Sequence, residues 1–333
     1  MGQNAIFAID NYRFGMNIIY NIIIYMSNYI DNTELFLTPK VNQYNNHMVM
    51  TNVMQPTQRK YINIDTCNLD SSFNSVASYV LNLPERINNV KSICVRNIEI
   101  PMSFYNVSAN LGNNYFGVYD VSAGISRTVV VSDNEYTTSS LIAEINSKLT
   151  ALGNGFADLS FNLVKNSVIT SLKSGSSASI GIDITFAVDS NNNFDKYNFK
   201  NKLGWMLGFR DLSYNIRQTT RTAESIVDMN SSRYLYLVVD EFSKGNNNSF
   251  LAVNTMSQIK SNIIARISLN KTTYPFGAIL PANNFNGLLL TDRRSYNGKV
   301  DLQKLKVQLV HENGVPVNLN GLGFSFCLEV EYE

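Results

Sequence analysis

Apolar and polar residues alternate at a period of two through much of the chain, and turn residues punctuate the alternation. In the stretch 90–116, VKSICVRNIEIPMSFYNVSANLGNNYF, the apolar positions Ile93, Val95, Ile98 and Ile100 run up to a stop at Pro101. The last stretch, LKVQLVHENGVPVNLNGLGFSFCLEVEYE, reads as strand, Asn-Gly turn, short strand, Asn-Gly turn and final strand. Such patterning between turn signals predicts half-buried antiparallel strands. Strands are expected near 60–65, 77–83, 91–100 and 114–119, then at 234–242, 259–269, 277–281, 287–291, 302–310 and 323–332. In the strand at 234–242, Tyr234, Tyr236 and Val238 alternate with Leu235, Leu237 and Val239, so both faces are apolar and a central position is expected. In the final strand Phe324, Phe326, Leu328 and Val330 form the face expected to be buried. Gly245-Asn246, Asn297-Gly298, Asn313-Gly314 and Asn320-Gly321 supply turn chemistry between strands.

The period changes in the middle of the chain. After a short strand at 128–132, Leu141, Ile142, Ile145 and Leu149 mark one helical face over 137–152, with Thr137, Thr138 and Ser139 as candidate caps and Gly153 as a stop. Strands at 159–172 and 180–188 and a second helix at 195–207, ending at Gly208, complete a β-α-β-β-α run. The expected fold is all-β: a jelly-roll β-sandwich formed by 59–119 plus 226–333, interrupted by a small α/β subdomain at 120–225. The strand at 114–119 is therefore expected close to the strand at 234–242, because an inserted unit leaves and re-enters its host at neighbouring points.

Residues 1–58 read as an extended N-terminal arm and connector. The segment 14–30 is the most apolar of the chain, but Asn17, Asn21 and Asn28 interrupt it, and a spanning helix needs about 20 mainly apolar residues. Ile18, Ile19, Ile22, Ile23 and Ile24 are its candidate contacts, against the protein's own body, a neighbouring protein or an internal membrane surface.

Composition narrows the function. A net charge of +1, with charged residues at 16%, excludes a partner bound through many phosphates, so no nucleic-acid partner is expected. Asparagine fills about one position in seven, which suits turns because Asn tolerates left-handed backbone. Cys67, Cys94 and Cys327 are an odd set without metal-ligand spacing and are expected as free thiols in a reducing compartment. Sequons at Asn106, Asn230, Asn247 and Asn270 are no more than so Asn-rich a chain produces by chance.

Catalytic equipment is thin. His47 lies in the connector, and His311, beside Glu312 at a strand end, is expected as a surface pair. Neither has a Cys or carboxylate at ligand spacing. Asp240 and Glu241 could form an acid pair, but consecutive strand residues point to opposite faces. LGWMLGF at 203–209 lacks the Gly-Lys-Ser/Thr of a phosphate loop and reads as helix-end packing around the single tryptophan. No cofactor, metal or catalytic residue is assigned, and no enzyme is expected.

Several blocks carry a family resemblance: RKYINIDT at 59–66, YVLNLPERINNVKSICVRNIEIPMSFYNV at 79–107, NNYF at 113–116, EYTTSSLIAEINSKL at 135–149, LGWMLGF at 203–209 and GVPVNLNGLGFSFCLEVEY at 314–332. From Arg59 to the C-terminus the chain resembles virion structural proteins of nucleocytoplasmic large DNA viruses, the giant viruses. The resemblance implies a minor capsid or penton protein of an icosahedral virion, assembled in the host cytoplasm. Its implied partners are the major capsid protein, other minor capsid proteins and further copies of itself. A carbohydrate- or receptor-binding β module of a virion surface is the competing expectation.

Overall fold

In a computed structural model the described residues are 56–68, 77–217, 220–230, 232–242 and 262–333. The arm, with Ile18, Ile19, Ile22, Ile23 and Ile24, and His47 lie outside them. The first two strands are β1 (Gln58–Asp65) and β2 (Ser78–Pro101). The middle region holds β3 (Tyr115–Asp120), β4 (Ile125–Val130), helix α1 (Thr138–Leu152), β5 (Leu159–Val164), β6 (Ser167–Leu172), β7 (Ile182–Thr185), a single-turn helix α2 (Leu203–Met206), β8 (Ser213–Ile216) and β9 (Arg221–Thr222). Then come β10 (Tyr234–Asp240), β11 (Ile263–Ser268), β12 (Ile279–Asn283), β13 (Leu289–Thr291), β14 (Arg294–His311) and β15 (Ser325–Tyr332).

Hydrogen bonding runs continuously through β1-β15-β2-β14-β10-β11-β13, with β12 also on β2. Two long strands fold this ladder into two layers. The first part of β2 pairs with the end of β14, as in Tyr79↔Val307, while its second part pairs with β15, as in Ile98↔Phe326, and with β12, as in Ile100↔Leu280. One layer is therefore β1, β15, the second half of β2, and β12. The other is the first half of β2, β14, β10 and β11. Counted along the chain, the strands of the layers run first-eighth-third-sixth and second-seventh-fourth-fifth, which is jelly-roll order. One apolar cluster fills the space between them: Ile93, Val95, Ile98, Phe326, Leu328 and Val330 from one layer and Leu235, Leu237, Val239, Leu305, Val307 and Leu309 from the other. The face Phe324, Phe326, Leu328 and Val330 is buried, as the alternation predicts.

The bend is visible in the register. Pairing of β2 with β14 slips between Ser295 and Val300 and again before Leu302 and Lys304. Asn89 adopts φ 57° and Gly298 φ 140° at this corner. Asp301 pins it by accepting from the Asn89 N–H at 3.0 Å and pairing with Arg86. Asn297-Gly298, expected as a turn between strands, is instead a bulge inside β14, and the separate strands expected at 77–83 and 91–100 are one strand. Bulges of this kind let a strand change layer without losing its ladder.

The middle region has its own core. Val107, Phe116, Val118, Leu141, Ile145, Leu149, Phe161, Ile184, Phe186, Phe209 and Tyr214 form a second apolar cluster. Its four-stranded sheet runs β4-β3-β7-β8 and its three-stranded sheet β5-β6-β9. β3, assigned from sequence to the sandwich, has both of its edges taken by β4 and β7 within this region. Helix α1 forms where its period places it. Thr137 accepts from the Ser140 N–H at 3.2 Å and Ser140 Oγ accepts from the Thr137 N–H at 2.9 Å, a reciprocal cap, and Gly153 closes the helix at φ 68°. The helix expected at 195–207 shrinks to a 3-10 turn, Phe199–Asn201, and α2, because Asn198 is left-handed at φ 56°. Asparagine does this repeatedly. Among the described residues, seven of the nine non-glycine positions at positive φ are Asn, so part of the Asn excess is backbone chemistry.

Candidate functional site: outer faces and the joint between the cores

Three places on the sandwich stand out among the described residues: two outer faces that can meet a partner and the buried joint to the middle region. The first is the outward face of β1, β15 and β2. Alternation turns Glu329 and Glu331 of β15 outward beside Arg59 of β1 and Ser92 and Arg96 of β2. The Glu329 side chain is fully covered by its partners. Arg96 Nε donates to it at 2.6 Å and Arg293 Nη2 at 2.8 Å, while Arg293 Nη1 reaches Glu331 at 2.6 Å. Burial pushes the Glu329 carboxyl up, but the bonds from Arg96 and Arg293 outweigh it and hold the group below the usual glutamate value. At the chain's end Glu333 pairs with Lys91 at 2.5 Å and Lys299 at 2.8 Å. This face is a polar plate knitted by charge, with Tyr61 exposed on it.

The second surface is the edge formed by β12 and β13. Ile279, Phe285 and Leu290 are exposed there, Phe285 completely, and exposed Phe276 stacks on Tyr105 at 5.8 Å. Pro281 sits in mid-strand without an N–H, and its carbonyl accepts from Asn286 Nδ2 at 2.5 Å. The free edge of β12 is thus blocked against strand addition, and contacts here are left to side chains.

The third is the joint between the two cores. Asn106, 1% exposed, accepts from the Tyr136 N–H at 2.8 Å and donates from Nδ2 to the Tyr136 carbonyl at 2.8 Å and the Met229 carbonyl at 3.4 Å. One side chain thereby ties the outgoing linker, the start of α1 and the returning linker. Lys271 of the sandwich pairs with Glu135 at 3.3 Å, and Asn110 Nδ2 donates to the Pro316 carbonyl at 3.0 Å. His311, expected on the surface beside Glu312, is 2% exposed: Ser232 Oγ lies 2.8 Å from Nδ1 and the Phe104 ring meets it edge-on at 5.7 Å. Its burial comes from linkers far away in sequence, which strand periodicity does not register.

The remaining chemistry is structural. Glu241 is buried against Arg294, whose Nη1 reaches it at 2.9 Å and also donates to the Val239 carbonyl, while Asp240 caps the Phe242 N–H at 2.8 Å. The two acids do not converge. In LGWMLGF a Cβ at Gly204 would stand 2.3 Å from Phe186 Cγ, so this glycine is a close-packing position. The half-buried Trp205 carries the Arg210 guanidinium 3.9 Å from its ring. All three cysteines are free; hydrogen bonding to Asp65 and burial raise the pKa of Cys67, and burial raises that of Cys327. Among the described residues no cluster of His, Cys, Asp or Glu could hold a metal, and no helix is long and apolar enough to cross a membrane. The Asn106 sequon is buried, whereas Asn230 and Asn270 are exposed.

No family model and no curated protein match the sequence. Among solved structures the chain is similar to the mavirus penton protein, at 12% identity and TM-score 0.37, covering 83% of this chain and 100% of that one. It is also similar to a chain in the cryo-EM structure of the Sputnik virophage, at 13% identity and TM-score 0.39, covering 84% and 98%. The jelly-roll assignment rests on the strand pairings themselves.

Proposed function

We propose that this chain is a structural component of an icosahedral virus capsid, a minor capsid or penton protein that acts by assembling with its neighbours. The observation that carries the reading is the two-layer strand order, since jelly rolls of this kind serve as capsid and lectin domains. The resemblance of the region from Arg59 onward to giant-virus virion proteins favours the capsid use. In this reading the sandwich is the rigid body. The charged plate on β1, β15 and β2 and the apolar edge at Phe276, Ile279, Phe285 and Leu290 meet the major capsid protein, other minor capsid proteins or a second copy. Ile18, Ile19, Ile22, Ile23 and Ile24 of the arm cover surface on a neighbour or lie against an internal viral membrane. Assembly takes place in the host cytoplasm, consistent with the three free thiols.

A carbohydrate- or receptor-binding role is the second reading. It is favoured by exposed Phe194 and Tyr197 on the middle region, with Lys196 and Lys200 placed over the Tyr197 and Trp205 rings. Co-sedimentation with purified capsid shells separates the two. The capsid reading expects saturable binding that the double variant Ile279→Asp, Phe285→Asp abolishes while the thermal melt is unchanged. Binding on a glycan array, lost on Tyr197→Ala, together with no binding to shells, would support the second reading instead.

A further inference from the structure

We propose that the joint between the sandwich and the middle region is an acid-operated hinge, in which protonation of His311 loosens both linkers while the two cores stay folded. His311 ends β14 and belongs to the sandwich, yet the groups that bury it belong to the linkers: Phe104 on the way out and Ser232 on the way back. Ser108, Asn110, Asn318 and Asn320, all neutral, line the small cleft beside it together with Tyr105. The charged groups nearby are paired, although Glu135 keeps one buried oxygen, Oε2, without a hydrogen-bond partner. Lys271 is paired with Glu135 across the joint, and Arg233 with Glu312 at 3.8 Å on the adjoining turn. Among the described residues no carboxylate bonds the ring, so a proton on His311 would be a buried cation without a counter-ion, facing Lys271.

Burial, and then the charge of Lys271, push the His311 pKa down to about 4 from 6.5. A group whose folded pKa is lowered in this way leaves stability untouched above 6.5. As the pH falls from 6.5 towards 4, the open form takes up a proton that the closed form refuses. Opening that wets the ring is therefore favoured roughly fifty- to a hundred-fold at pH 4.5 relative to pH 7.5, each unit of separation contributing about tenfold. The bonds across the joint are few: the Asn106 contacts to Tyr136 and Met229, the Lys271–Glu135 pair and the Asn110–Pro316 bond, with the Val107–Asn134 bridge and the Leu269 N–H to Arg233 carbonyl bond at the ends of the linkers. Each core, by contrast, has strand ladders of its own.

Hydrogen exchange, corrected for intrinsic rates, tests this on the full chain between pH 7.5 and 4.5. The amides of Val107, Asn134, Tyr136 and Leu269 should lose protection by the stated factor, while those of β3–β4 and of β2–β15 should not. His311→Gln keeps a partner for Ser232 but cannot take the proton, and it should remove the pH dependence. Carbon-13 labelling of the two histidines, with His47→Gln to assign them, gives a readout independent of any variant at position 311. A His311 signal that stays neutral below pH 5 supports the hinge. A signal titrating near 6.5, an opening of equal size in His311→Gln, or loss of protection spread over both cores would overturn it.

Discussion

The two cores of this chain are built by opposite strategies. The sandwich is non-local: among the described residues its first strand pairs with its last, Gln58 against Tyr332, and the two long strands β2 and β14 join its layers. The middle region is local: β3–β4 and β5–β6 are hairpins, and α1 packs with Leu141, Ile145 and Leu149 on the strands just after it. The fillings differ as well. Branched aliphatic residues dominate between the layers of the sandwich. The middle region instead stacks aromatics, with Phe186 4.9 Å from Phe209 and Phe209 4.9 Å from Tyr214. Local contacts cost little loop-closure entropy and form early, whereas pairing β1 with β15 first closes a long loop.

The sharpest way to break the contrast is to end the chain at Leu322. β15 lies between β1 and β2, so its loss should abolish the cooperative melt of the sandwich, while a fragment of 107–230 should keep a melt of its own by circular dichroism. If both fail together, the middle region has no independent core. Next in size, Phe209→Ala should lower the stability of the middle region by about 3–5 kcal/mol, the usual range for a buried aromatic. Hydrogen exchange should confine the loss to β3, β5 and β7 and leave β2 and β15 protected. Asn106→Ala should cost about 1–3 kcal/mol, since it strands buried backbone groups of Tyr136, and it should raise exchange at the joint before either core. Lys148→Ala, which removes an exposed pair to Glu144 one turn away on α1 at 3.3 Å, should change the melt by no more than a few tenths of a kcal/mol.

Much of this contrast is legible in the sequence, because the two regions differ in period. The strands at 60–65 and 323–332 and the helix over 137–152 form within a few residues of where alternation, Thr137 and Gly153 place them. Three features escape it for physical reasons. Asn88-Asn89 and Asn297-Gly298 carry turn chemistry, but a bulge at a sheet corner needs the same left-handed backbone as a turn, so one bent strand reads as two. Period two shows that 114–119 is a strand yet says nothing about which sheet receives it, and Tyr115–Asp120 joins β4 and β7. The burial of His311 is set by Phe104 and Ser232, which no local pattern connects to it. The candidate surfaces were least legible of all, since the exposure of Ile279, Phe285 and Leu290 follows from where β12 and β13 fall at the rim of the sandwich.

In the proposed function the jelly roll works as a capsid building block. A cryo-electron-microscopy map of the particle that carries this chain tests it most directly. The expected result is density for the two-layer sandwich at symmetry-repeated positions of the shell, with the β12–β13 edge against a neighbouring capsid subunit. A shell complete without this chain, with the protein recovered only in the soluble fraction, would contradict it.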